Sequence, residues 1–132
     1  MNQRYLAIET SGPRLSIAAG DDSKTLTYFE GPLQWRHADL VFGAMKKVLR
    51  TRRWTVNQLT GIAVSTGPGS FTGIRIGLAV ARTLGQALRV PVVGINSLRT
   101  LAAGMSGTEP LRVPVIDALR GHVFTACYKK GA

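Results

Sequence analysis

Residues 61–88, "GIAVSTGPGSFTGIRIGLAVARTLGQAL", constrain the fold more than any other stretch. A short apolar run ends at Ser65 and Thr66. Gly67, Pro68, Gly69 and Gly73 follow, and the pattern then turns helical. Strand, glycine turn and helix together form the unit from which α/β folds with parallel strands are built. Along the helix, Gly73, Gly77, Ala81 and Gly85 recur every four residues. A glycine inside a helix costs about 1 kcal/mol relative to alanine. A face kept this smooth therefore implies a close neighbour. The chain's own sheet and a partner helix both satisfy that requirement.

The turn has the outline of a phosphate loop but matches no standard pattern. A Walker loop needs a lysine after its last glycine, and here Ile74 follows Gly73. The dinucleotide fingerprint accepts Gly67 and Gly69 but meets Thr72 at its third glycine. The N–H groups that open a helix can hold an anion. Alternatively, Ser70 or Thr72 caps the helix from within.

The remaining elements fit around this unit. "RYLAIETS" reads as a buried strand ending in a polar turn at Thr10 to Pro13. "RLSIAAG" and "KTLTYFE" read as two further strands, joined at Gly20–Asp22. Residues 36–53 read as a helix, with Leu40, Val41, Ala44, Met45, Val48 and Leu49 forming one apolar stripe. A second helix is expected over 72–89 and a strand in "VPVVGIN". A short helix capped by Ser97 follows, and then two strands, "LRVPVIDAL" and "HVFTACY". Three meandering strands followed by αβ units predict a mixed sheet with helices on its faces. If the first strand neighbours the strand at 61–66, the winding reverses there, where α/β sheets collect ligands. Glu9, Thr10 and Ser11 would then face Thr66 to Phe71 across a crevice.

Catalytic patterns are sparse. His37 has Val41 where a second metal-binding histidine would stand, and His122 falls on a hairpin. Ser65, Ser70 and Ser97 have no evident base and acid partners. Glu9 and Asp117 each follow an apolar strand, a place suited to metal or phosphate chemistry and equally to strand-end hydrogen bonding. The net charge of +10, from 17 Lys and Arg against 7 Asp and Glu, is compatible with an anionic partner. No apolar run reaches the roughly 18 residues of a membrane span. The first residues lack the apolar core of a signal peptide, and the lone Cys127 cannot form an internal disulfide. These features point to the cytoplasm.

"YLAIETS", the 61–88 segment, "VPVVGINSLRTLA" and "VIDALRGHVFTACY" together resemble the bacterial TsaB (YeaZ) family nearly end to end, and "GPGSFTGIRIG" is its most specific motif. The resemblance implies one lobe of the actin-like ATPase, or ribonuclease H-like, fold: a mixed five-stranded sheet of order 3-2-1-4-5 with helices on both faces. On this reading residues 1–110 form the N-terminal lobe, and 111–132 are the first hairpin of a truncated second lobe.

The resemblance further implies a non-catalytic scaffold in the synthesis of N6-threonylcarbamoyladenosine on tRNA. The scaffold pairs with and activates a TsaD-like enzyme, a TsaE-like ATPase joins the pair, and tRNA is met only through the complex. A homodimer is expected for the chain alone. TsaD carries two metal-binding histidines on its first long helix, where this chain has only His37. No tightly bound cofactor is expected, and ATP with Mg²⁺ is expected only in the complex.

Family subunits associate through their first two long helices. The resemblance therefore assigns to the interface the stripe of Leu40, Val41, Ala44, Val48 and Leu49, together with the smooth face of Gly73, Gly77, Ala81 and Gly85. Gly77→Leu should then block association and leave the monomer folded. Glu9 stands where the family has aspartate. Two other readings are an actin-like phosphotransferase or ATP hydrolase, binding Mg-ATP through Glu9, Thr10, Ser11, Gly67, Gly69, Ser70 and Thr72, and a basic RNA-binding module using the arginines near 50–53.

Overall fold

Alternation along the first two strands sets the sheet. In the computed structural model, which describes residues 2–24, 26–34 and 36–131, β1 (Arg4–Glu9) buries Leu6 and Ile8 on one face. It turns Tyr5, Ala7 and Glu9 to the other, because strand side chains alternate. β2 (Ser16–Asp21) pairs with it antiparallel, Ile17 opposite Ile8. β4 (Gly61–Ser65) pairs on the other side in parallel, Val64 opposite Ile8. Ile17, Ile8 and Val64 thus form one apolar row. β3 (Leu26–Glu30) and β5 (Val92–Ile95) are the edges, giving the order β3-β2-β1-β4-β5. Thr25, expected in the third strand, lies outside the described residues, and Lys24 belongs to the preceding turn.

Two helices cover the apolar face. α1 (His37–Thr51) packs on β2 and β3, and α2 (Phe71–Leu88) packs on β1, β4 and β5. The helices also touch each other, so they share one side of the sheet. Val41, Ala44, Met45, Val48 and Leu49 of α1 are buried in the core with Leu6, Ile17, Ile62 and Ala81, while Leu40 lies half-buried at its margin. Each fully buried aliphatic side chain of this kind is worth about 1.5–3 kcal/mol.

This corrects the interface assignment. The stripe of Leu40, Val41, Ala44, Val48 and Leu49 is occupied by the chain's own sheet. The same holds for Gly73, Gly77, Ala81 and Gly85, all buried. A Cβ at Gly73 or Gly77 would collide with Thr10, and one at Gly85 with Val92. Of the two occupants the sequence allowed, it is the sheet that comes close.

Smaller differences have local causes. Between α1 and β4 lies a single 3-10 turn, Val56–Gln58, closed by a reciprocal capping box between Thr55 and Gln58. α3 (Ser97–Gly104) is capped by Asn96, whose side chain accepts from the N–H groups of Leu98 and Arg99. Ser97, expected as the cap, turns inward instead. α3 borders the second face of the sheet, where Thr100 and the small side chains of Ala7, Ala18 and Ala63 line a cavity of about 200 Å³.

The two terminal strands are each broken in two. β6 (Leu111–Arg112) pairs with β9 (Tyr128–Lys129), and β7 (Val115–Leu119) with β8 (His122–Thr125). The break falls at Pro114, which has no N–H for the ladder. Its carbonyl oxygen accepts instead from the Thr125 hydroxyl. Arg112 ties this ribbon to α3 through the Ala102 carbonyl oxygen, at 2.8 Å.

Candidate functional site

Parallel pairing of β1 with β4 brings the end of β1 beside the glycine turn, as the topology argument required. The turn lies directly on the residues that follow β1. The Ser70 N–H donates to the Ser11 carbonyl oxygen at 2.8 Å, and the Thr10 hydroxyl donates to the Gly73 carbonyl oxygen at 2.6 Å. Gly69 has no room for a side chain, because its Cβ would collide with the Ser11 carbonyl oxygen. Gly67 adopts φ +97°, a conformation open mainly to glycine, and the Gly67–Pro68 peptide is cis.

Ser70 is the N-cap of α2, and its side chain accepts from the Gly73 N–H at 3.1 Å. The N–H groups of Ser70 and Gly73 are therefore used within the chain. The Ser11 carbonyl oxygen and the Glu9 carboxylate add negative potential beside them. Thr66 and Thr72 are exposed at the rim.

A chain of buried hydroxyls ties the site together. The Glu9 carboxylate accepts from both the N–H and the hydroxyl of Ser11. Ser97 donates to Ser11 at 2.8 Å, and Ser65 lies 2.6 Å from Ser97. Each hydroxyl has one proton, and Ser97 has committed its own, so Ser65 is the donor to Ser97. The backbone N–H of Ser97 also holds the Gly67 carbonyl oxygen, at 2.8 Å. β1, β4, the turn and α3 thus meet at one serine, Ser97. The sequence carries no signal for this, since Ser65 and Ser97 stand 32 residues apart.

The other polar candidates separate. His37 is buried at the start of α1, where its Nε2–H donates to the Gly12 carbonyl oxygen at 2.7 Å. Its ring also lies 3.4 Å from where a Gly73 Cβ would stand. Asp117 accepts from the Leu119 N–H within the β7–β8 turn, a strand-end role. Among the described residues, no group of three or more His, Cys, Asp or Glu side chains could hold a metal ion. Among the described residues, no helix is long and apolar enough to cross a membrane.

A mixed sheet of order 3-2-1-4-5 with a glycine turn at its winding reversal defines a lobe of the actin-like, ribonuclease H-like class. The family model for "TsaD: tRNA N6-adenosine threonylcarbamoyltransferase" matches residues 33–132. The "tRNA threonylcarbamoyladenosine biosynthesis protein TsaB" of Bacillus subtilis is 36% identical over 124 residues, which are 94% of this chain and 54% of that protein. The Escherichia coli protein of the same name is 31% identical, over 96% of this chain and 55% of its own length. A crystal structure described as "an uncharacterized protein with similarity to peptidase YEAZ from Pseudomonas aeruginosa" superposes with a TM-score of 0.86 at 27% identity. It covers 96% of this chain and 59% of the other. The chain belongs to the TsaB (YeaZ) family, related to the threonylcarbamoyltransferases whose family model it matches. It spans about half the length of the curated relatives it matches.

Proposed function

We propose that this chain is a non-catalytic scaffold subunit in the synthesis of N6-threonylcarbamoyladenosine on tRNA, pairing with and activating a TsaD-like enzyme in the cytoplasm. The observation that carries the reading is the match to TsaB proteins along nearly the whole chain. The glycine turn agrees with it, because the Ser70 N–H is spent on the Ser11 carbonyl oxygen and the Gly73 N–H on the Ser70 cap, which leaves fewer donors for phosphoryl chemistry by this chain alone. ATP and Mg²⁺ belong, on this reading, to the assembled complex. A TsaE-like protein joins the pair, tRNA is engaged through the complex, and the chain by itself forms a homodimer. Residues 111–132 act as the opening of a second lobe.

The docking surface is the outer face of α1 and α2, because their inner faces are filled. Phe42 on α1 is 59% exposed, and Phe71 and Leu78 on α2 are 74% and 39% exposed. Gly43, beside Phe42, has nothing within 4 Å of a Cβ position, which leaves room for a close approach. Exposed aromatic side chains are the usual anchors of such contacts.

Size-exclusion chromatography with light scattering, on this chain mixed with the TsaD homologue of the same genome, tests the proposal. A stoichiometric complex is expected, and two separate peaks would reject it. Phe42→Ser with Leu78→Ser should weaken the complex at least tenfold, about 1.4 kcal/mol. The fold should lose only about 0.5 kcal/mol per site.

A further inference from the structure

The end of the sheet opposite the glycine turn gathers cations from four separate segments. β1 begins there at Arg4, whose partner across β2 is Asp21. α1 runs back to this end, where two guanidinium groups lie over the Trp54 ring, Arg52 at 4.4 Å and Arg4 at 5.1 Å. α2 ends there at Arg89, and Lys24 closes the β2–β3 turn on the Asp21 carbonyl oxygen. Two carboxylates face this group, and both are engaged. Asp21 pairs with Arg52 and Ser23, and Asp22 accepts from the Gln3 N–H. Among the described residues, no carboxylate pairs with Lys24, Arg50, Arg53 or Arg89.

Three of these cations also stand at backbone reversals, as does Arg120 in the β7–β8 turn outside the pole. Lys24, Arg53 and Arg89 hold φ values of 63°, 56° and 55°, in the left-handed region where glycine or asparagine is usual. A cation stands instead at each of these three reversals. Attraction to the carbonyl end of a helix accounts for Arg53 and Arg89. It does not account for Lys24, which lies between strands.

We propose that the pole formed by Lys24, Arg50, Arg53 and Arg89 binds the phosphate backbone of RNA. Arginine dominates it, and the planar guanidinium fork matches phosphate oxygens. The Trp54 stack holds Arg4 and Arg52 in place behind the exposed cations. Charge is depleted at the centre of protein–protein interfaces, which favours RNA over an acidic protein. The inference goes beyond the reading above by giving this chain a direct share of the RNA contact assigned there to the complex, and it stands on charge and topology whether or not a TsaD-like enzyme pairs with the chain.

The test is fluorescence anisotropy of an end-labelled, unmodified tRNA transcript titrated with the full chain between 50 and 200 mM KCl. Binding should weaken steeply with salt. R50E/R53E should weaken it at least tenfold and reduce the log–log salt slope by about two. R99E/K129E, which changes the net charge equally at exposed positions elsewhere, should retain most of the affinity. Should R50E/R53E fold poorly by thermal melting, K24Q/R50Q serves in its place. Equal weakening by the two double variants would overturn the proposal, leaving only diffuse attraction. Absence of binding by the unaltered chain at 50 mM KCl would also overturn it. So would competition by poly-L-glutamate as strong, per charge, as that by RNA, which would assign the pole to acidic protein.

Discussion

Thr10 occupies the space that side chains at Gly73 and Gly77 would need. Its hydroxyl donates to the Gly73 carbonyl oxygen at 2.6 Å, and its own carbonyl oxygen abuts the Gly73 Cα. The first turns of α2 are thereby seated on the end of β1 at backbone distance. The glycine repeat serves this seat, and the glycine turn ahead of it serves to aim the helix.

Gly77→Ala should therefore destabilise the chain, although alanine favours a helix by about 1 kcal/mol. The added Cβ meets the Thr10 hydroxyl oxygen and lies 3.5 Å from Val64 Cγ2. Overpacking of this kind costs about 1–3 kcal/mol, so a net loss is expected in urea denaturation. Gly77→Leu should fail to fold. A folded Gly77→Leu monomer would show that α2 can lift off the sheet.

Ser97→Ala removes the centre of the hydroxyl chain and leaves Ser65 and Ser11 each short of a partner inside the protein. Leaving a buried polar group unsatisfied costs about 1–3 kcal/mol. Ser65→Ala takes away only the terminal donor and should cost less, about 1 kcal/mol. Chemical denaturation of the two variants gives the order, and equal losses would contradict the direction of the chain.

The Asp21 carboxyl is held below its ordinary value of 3.8 chiefly by the Ser23 hydroxyl; burial, next in size, opposes this, and the Ser23 N–H and the Arg52 guanidinium lower it further. A depressed folded value means that the unfolded chain binds the proton more readily. The stabilisation is thus complete above the unfolded value and is lost as pH falls from there through the lowered one. Asp21→Asn should reduce stability at pH 7 and flatten the acid limb of the stability curve. Thermal melts between pH 2 and 7 check this, and an unchanged acid limb would count against it.

Local sequence determined much of this protein. Leu6, Ile8, Ile17, Val41 and Val48 declare the period of their strand or helix, so α1 and the first two strands were legible. So was the junction of β4, turn and α2, because glycines and proline punctuate it. The end of β1 could be placed beside the turn only on the condition that β1 neighbours β4, an adjacency the family resemblance implied. Other features depended on which surfaces meet. An apolar stripe and a glycine face look the same whether a sheet or a partner covers them, since periodicity reports burial and not the neighbour. Only the packing of α1 and α2 on one face assigned both to the core and left Phe42, Phe71 and Leu78 outside. Ser97 reads as a cap because it opens a helix, yet Asn96 takes that place while Ser97 joins Ser65 and Ser11. Hydrogen bonds across 32 and 86 residues leave no local trace. The basic pole has the same origin: its cations are scattered along the chain, and antiparallel return of the helices over the sheet brings them to one end.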